Sequence, residues 1–132
     1  MCYNIRMEPQ KKILIIDDEK NFLDIFLAKL ESAGFVVELA GDGVSGIKRA
    51  REWKPDLVLL DMNMPGLSGA DVITKLKEES GTKDIKVAFI TAIGDPKNKE
   101  RDASYAMAIG AVGYIQKTDD LNKIVEEIRS FL

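Results

Sequence analysis

The chain has 132 residues, 45% apolar and 31% charged, which is one domain's worth of an ordinary folded protein and argues against disorder. Its net charge of -3 argues against a nucleic-acid surface as the main function, because phosphate binding needs clustered Lys and Arg. The absence of histidine and the single cysteine, Cys2, remove Ser-His-Asp and Cys-His nucleophile pairs, histidine-ligated zinc, cysteine clusters and phosphohistidine on this chain.

Residues 1–10 read as a polar N-terminal leader. MCYNIRMEPQ lacks the apolar segment of a signal peptide, and no run approaches membrane-spanning length, so the expected address is cytoplasmic, with no membrane partner. The folded domain is expected over residues 11–132. KILII (Lys12 to Ile16) is the first strand, and Leu23, Phe26, Leu27 and Leu30 then fall at helical spacing, with Gly34 where a C-terminal cap belongs. FVVEL (Phe35 to Leu39) is the second strand. After it, Gly41-Asp42-Gly43-Val44-Ser45-Gly46 fits the dinucleotide-binding spacing G-x-G-x-x-G, and Asp61 follows at the distance of a ribose-binding acid.

Val44, Ile47 and Ala50 mark a second helix that Lys54-Pro55 stops, with Trp53 expected to close its apolar stripe. DLVLL (Asp56 to Leu60) is the third strand, and Ile73 and Leu76 belong to a third helix. KVAFI (Lys86 to Ile90) is the fourth strand, followed by an alanine-rich helix around Ala103, Ala106 and Ile109. The polar run KNKER (Lys97 to Arg101) fits either a solvated helix start or a partner face. VGYIQ (Val112 to Gln116) is the fifth strand, and Leu121, Ile124, Val125, Ile128 and Phe131 mark the last helix, which Thr118, Asp119 or Asp120 can cap.

Runs such as LVLL and AFI are apolar at consecutive positions, so both faces of the sheet need cover. Strands alternating with helices then predict a doubly wound parallel α/β domain. In such sheets ligands bind outside the carboxyl ends of the strands. Asp17 and Asp18 follow the first strand, Asp61 the third, Thr91 the fourth and Lys117 the fifth. Taken singly, each has a bland reading as a helix cap, a strand end or a solvated cation. Their convergence on one rim does not. Three carboxylates in one place repel unless a cation holds them, and Mg²⁺ is the hard cation that takes oxygen ligands beside phosphates. Lys117 adds a positive charge and Thr91 a hydroxyl donor, which makes a phosphoryl site.

IIDDE, LLDMNMPGLSG, FITA and GYIQK, in this order and at strand ends, resemble the receiver domain of two-component response regulators from Lys12 to Leu132. The resemblance implies a flavodoxin-like, three-layer α/β/α fold with five parallel strands in the order 2-1-3-4-5. It implies that Asp61 takes a phosphoryl group from a phosphohistidine on a sensor histidine kinase or histidine phosphotransfer protein. Asp18 and Asp61 would ligate Mg²⁺ directly, Asp17 through a water, and Asn63 through its backbone carbonyl. Lys117 would neutralise the phosphate, Thr91 would donate its hydroxyl to it, and Tyr114 would swing inward as a switch. Ala92 is small, as the family requires. Pro65-Gly66 and Gly69 would shape the loop after Asp61. The chain departs from the family at Thr118, where proline usually follows the lysine; a trans Lys117-Thr118 bond is the favoured reading, since a cis non-proline bond costs about 3 kcal/mol.

The implied function is that of a phosphoacceptor signalling domain that assists its own phosphorylation and dephosphorylation, not of a turnover enzyme. Its output would run through a helix 4/strand 5/helix 5 surface to an unknown partner, without direct nucleic-acid binding. Two rivals stand beside it. A haloacid-dehalogenase-type phosphatase would want a second acid where Asn63 stands. A phosphorylation-independent pseudo-receiver, serving only to bind protein, would not need the full set of rim residues. In the implied strand order the second strand is an edge, so the glycine motif sits beside the site, and Gly41 and Gly43 are expected as turn residues, with Asp42 or Gly43 near a helix cap.

Overall fold

A computed structural model of the protein describes residues 10–62, 64–91, 99–117 and 120–132, without the side chains of residues 20 and 99–102. Strands β1 (Lys12–Ile16), β2 (Val36–Ala40), β3 (Leu57–Asp61), β4 (Lys86–Thr91) and β5 (Gly113–Gln116) alternate with helices α1 (Lys20–Ser32), α2 (Gly43–Trp53), α3 (Gly69–Glu78), α4 (Lys99–Ala108) and α5 (Leu121–Phe131). The strands form one parallel sheet in the order β2-β1-β3-β4-β5, as the resemblance implies. None of the described helices is long and apolar enough to cross a membrane.

The central strands are apolar at consecutive positions because each face of the sheet packs on its own helices. Leu14, Ile16, Val58, Leu60, Val87 and Phe89 meet Ile47, Ala50, Ile73, Leu76 and Ala106 of α2, α3 and α4. Ile13, Ile15, Leu57, Leu59, Ala88 and Ile90 meet Leu23, Phe26, Leu30, Ile124 and Ile128 of α1 and α5. Each face therefore has its own close-packed core.

Three helices carry caps that the sequence supports. Asp42 accepts from Ser45 N at 2.8 Å to start α2, Ser68 and Asp71 form a reciprocal capping box on α3, and Asp120 accepts from Lys123 N at 3.1 Å to start α5. Gly34, just past α1, takes φ 99°, a left-handed turn that a β-carbon would resist.

Gly41 lies in the bend between β2 and α2, as expected of a turn residue, whereas Gly43 and Gly46 have a packing explanation. A β-carbon on Gly43 would stand 2.8 Å from Leu67 Cβ and Val72 Cγ2, and one on Gly46 would stand 2.5 Å from Ile16 Cδ1. Both lie inside α2, where close contact with β1 and α3 leaves no room for a side chain. A β-carbon on Gly41 would have no neighbour within 4 Å. Val44 is 70% exposed and does not belong to the apolar stripe assigned to it; buried Gly43 takes that place, with Ile47 and Ala50. Trp53 ends α2 half-buried against the core, with the Lys12 ammonium 5.2 Å from its ring centre.

Candidate functional site

The site lies at the carboxyl ends of β1, β3, β4 and β5. Asp17 follows β1 directly and is fully buried; its N–H donates to Ala40 O at 3.0 Å, carrying the β1–β2 ladder one residue further. Its Oδ1 accepts from Glu19 N at 2.8 Å, which turns the chain into α1. Asp61 is the last residue of β3 and is 4% exposed. Thr91 ends β4, is also buried, and offers its carbonyl to Lys117 N at 2.7 Å, so β4 fixes where the lysine leaves β5.

Among the described residues, Lys117 is the cation of the site. Its ammonium lies 2.7 Å from Asp17 Oδ2 and 3.9 Å from Asp61 Oδ2, and it hydrogen-bonds Glu19 Oε1. It also sits 4.7 Å from the centre of the Phe22 ring, whose face adds a weak attraction for a cation. Burial pulls the lysine toward its neutral form, but the close Asp17 carboxylate, the hydrogen bond to Glu19 and the charge of Asp61 outweigh it. Its pKa is raised above the ordinary 10.5, so the lysine is a permanent cation here.

The 2.7 Å contact at Asp17 Oδ2 is an ion pair without hydrogen-bond alignment, so this buried oxygen has no donor among the described residues. Asp17, Glu19 and Asp61 each present a carboxylate oxygen within 4.8 Å of the others. One ammonium balances only one of these three charges. A misaligned buried carboxylate oxygen within an all-oxygen donor set fits a hard divalent cation.

The structure thus brings together Asp17, Asp61 and Lys117, with Thr91 at the end of the neighbouring strand. Asp18 lies between two members of the acidic cluster, but its own side chain is exposed and outside it. Glu19 joins instead, a residue for which the sequence reading gave no role. Its signal was available as the third acid of IIDDE, but only the turn into α1 decides which of the three carboxylates faces inward. Asn63, Ala92 and Thr118, with the Lys117-Thr118 bond, lie outside the described residues. Tyr114 is half-buried and packs on the α2/α3/α4 side of the sheet. It pairs in register with Phe89, two residues before Thr91, so Tyr114 and Thr91 share a face.

After Asp61 the chain turns through Gly66 at φ 80°, which only glycine adopts cheaply. It enters α3 at Gly69, whose N–H donates to Met62 O at 3.1 Å. This tight return holds the start of α3 beside the phosphoacceptor candidate.

Residues 13–129 match the family described as the response regulator receiver domain. The chain belongs to that family. It is 34% identical over 121 residues to the DNA-binding dual master transcriptional regulator RpaA of Synechocystis, covering 92% of this chain and 48% of that protein. It is 32% identical over 123 residues to the DNA-binding response regulator MtrA of Mycobacterium tuberculosis, covering 93% and 51%. The chain spans about half the length of these curated relatives. Among solved structures, the chemotaxis protein CheY4 of Vibrio cholerae superposes with a TM-score of 0.81 at 24% identity, covering 94% of this receiver and all of that chain. TrrA of Thermotoga maritima, solved in complex with Mg(2+)-BeF, matches with a TM-score of 0.77 at 28% identity, covering 93% and 100%. Receivers are signalling domains rather than turnover enzymes, in line with the sequence reading.

One expectation is corrected. The partner set read from the sequence excluded nucleic acid, whereas RpaA and MtrA are named as DNA-binding regulators. The net charge of -3 describes these 132 residues alone and carries no exclusion for regulators of twice the matched length.

Proposed function

We propose that this receiver is a phosphoacceptor in which Asp61 takes a phosphoryl group from a phosphohistidine on a sensor histidine kinase or histidine phosphotransfer protein. A carboxylate oxygen of Asp61 forms the new P–O bond as the P–N bond to the donor imidazole breaks, and the imidazole nitrogen keeps the electron pair. The observation that carries this reading is the placement of Lys117 3.9 Å from Asp61 Oδ2, beside the two buried aspartates Asp17 and Asp61 and the exposed Glu19. A fixed cation there neutralises charge on the incoming phosphoryl oxygens, and phosphoryl transfer needs mainly positioning and charge neutralisation.

Asp17 and Asp61 would hold Mg²⁺, with Asp18 and the Asn63 carbonyl contributing as the family resemblance implies. That TrrA, which shares this fold, was solved in complex with Mg(2+)-BeF supports Mg²⁺ as the ion. When bound, Mg²⁺ supplies charge neutralisation that one lysine cannot. Thr91 would donate its hydroxyl to the phosphoryl group, and Tyr114 would respond to that movement through the face they share. Hydrolysis would return Asp61 to its free carboxylate, so the domain resets itself. The output surface would be α4, β5 and α5. The DNA-binding relatives support a DNA-directed output, held in a longer protein or in a partner.

The receiver domain would comprise residues 11–132, and the cytoplasm, where phosphohistidine donors and Mg²⁺ are available, suits this activity. A phosphorylation-independent module is not favoured, because it would not need two buried aspartates, a paired lysine and a strand-end hydroxyl at one rim.

The test is intact-mass analysis after incubation with Mg²⁺ and acetyl phosphate, and separately with a phosphorylated histidine donor. One phosphoryl adduct is expected on the wild-type protein and none on Asp61→Asn. No adduct from either donor would overturn the reading.

A further inference from the structure

We infer that Glu19 is a positioning residue that latches Lys117 on the α1 side of the site and releases it when a phosphoryl group arrives on Asp61. The release step rests on the function proposed above; the latch itself does not. Lys117 hydrogen-bonds Glu19 Oε1 and pairs with Asp17 Oδ2 at 2.7 Å, while Asp61 Oδ2, at 3.9 Å, is beyond hydrogen-bond reach. An ammonium has three donors, and among the described residues its nearest partners are Glu19 and Asp17 rather than the phosphoacceptor. To meet phosphoryl oxygens, the lysine has to loosen its hold on one of its present partners.

Burial decides which partner is released. The Asp17 side chain is fully buried, and its Oδ2 has no other donor among the described residues, so losing the lysine would leave a bare buried charge. Glu19 has a side chain 55% exposed to solvent, so water replaces the lysine with little loss. Glu19 is also the N-cap residue of α1, yet its side chain makes no capping hydrogen bond. Its carboxylate is therefore free to serve Lys117, and replacing it removes no helix cap. The Phe22 ring, its centre 4.7 Å from the ammonium, attracts the cation on the same side.

The latch competes with the phosphoryl group for one cation, so its removal speeds capture. Glu19→Gln, which keeps the shape and removes the charge, is expected to raise the rate of phosphoryl uptake from acetyl phosphate by about three- to fivefold, the factor that a partly exposed ion pair supplies. In a Lys117→Ala background the same substitution is expected to have no effect on the rate. Equal acceleration in both backgrounds would show that Glu19 acts through bulk charge or a bound cation, and would overturn the latch. No acceleration in the wild-type background would overturn it as well. A second readout needs no phosphoryl donor: in chelator-treated protein, the ¹⁵N-¹H signal of the Lys117 ammonium should shift on Glu19→Gln. An unchanged signal would overturn the latch. If wild-type protein takes up no phosphoryl group at all, the proposed function fails, and the ammonium signal still decides whether Glu19 holds Lys117.

Discussion

Gly69 and Asp61 are in contact through the backbone: a β-carbon on Gly69 would stand 2.6 Å from the carbonyl oxygen of Asp61 and 2.8 Å from Met62 Cα. Neither neighbour is a flexible side-chain tip, so a larger residue has to move α3 or the end of β3. Gly69→Ala is expected to destabilise the fold by about 1–3 kcal/mol, the usual cost of overpacking. It should also slow phosphoryl uptake, because the displaced backbone is that of the proposed phosphoacceptor. Gly41→Ala is the control, since its β-carbon meets nothing within 4 Å. Urea unfolding of both variants checks the contrast, and equal midpoints would refute the contact.

The acidic cluster is under electrostatic load without a cation. Among the described residues three carboxylates face one ammonium, so removing one negative charge should relieve repulsion. Asp61→Asn is expected to raise the stability of chelator-treated protein by on the order of 1 kcal/mol. Millimolar Mg²⁺ should raise the Tm of the wild type by mass action and that of Asp61→Asn much less. Thermal unfolding with chelator and with Mg²⁺ measures both effects. A variant less stable than wild type in chelator would show that Lys117 already neutralises the cluster.

Away from the site, Glu38 on edge strand β2 is held by Arg49 of α2, whose NH2 donates to Glu38 Oε2 at 2.7 Å. That hydrogen bonding, against a smaller opposing effect of burial and with the Arg49 charge added, lowers the Glu38 pKa below the ordinary 4.5. A carboxylate with a depressed folded pKa stabilises the fold above its unfolded value and loses that contribution as pH falls through the folded one. Glu38→Gln should therefore lower Tm at pH 7, and the difference from wild type should shrink as pH falls below 4.5. Added salt should shrink it as well, because both side chains are 35% exposed. A difference that holds constant from pH 7 to pH 3 would point to packing rather than charge.

The strands were legible because the core requires apolar residues on both sheet faces, which writes LVLL and AFI into the sequence. Their ends were less so. From the sequence Phe35 reads as part of β2, but its N–H donates to Leu30 O and closes α1; Asp56 reads as part of β3, but its Oδ2 accepts from Lys12 N at 2.8 Å, ahead of the strand. Caps at Asp42 and Asp120 could be read locally, because a cap depends on residues three apart. The burial of Gly43 and Gly46 could not, since it depends on Leu67, Val72 and Ile16, which reach them only in the folded chain. The same limit hid Glu19: IIDDE offers three adjacent acids, and their partner stands 98 residues downstream of Glu19.

Thr91 and Tyr114 provide the last prediction, since they share a sheet face on neighbouring strands while Lys117 is anchored through the Thr91 backbone rather than its hydroxyl. Thr91→Val keeps the shape and that anchor and removes only the hydroxyl, so it separates signal transmission from chemistry. Uptake onto Asp61 should persist, slowed by no more than about tenfold, roughly the worth of one hydrogen bond to a charged group. The change of environment at Tyr114 on phosphorylation should be lost, because in the proposed switch the hydroxyl is the link between the new phosphoryl oxygens and the Tyr114 ring. Amide and Tyr114 ring signals recorded before and after Mg²⁺ and acetyl phosphate measure this in both proteins. If the Tyr114 signals move as far in Thr91→Val as in the wild type, the signal travels through the Lys117 backbone and β5 instead, and Thr91 serves only to close β4.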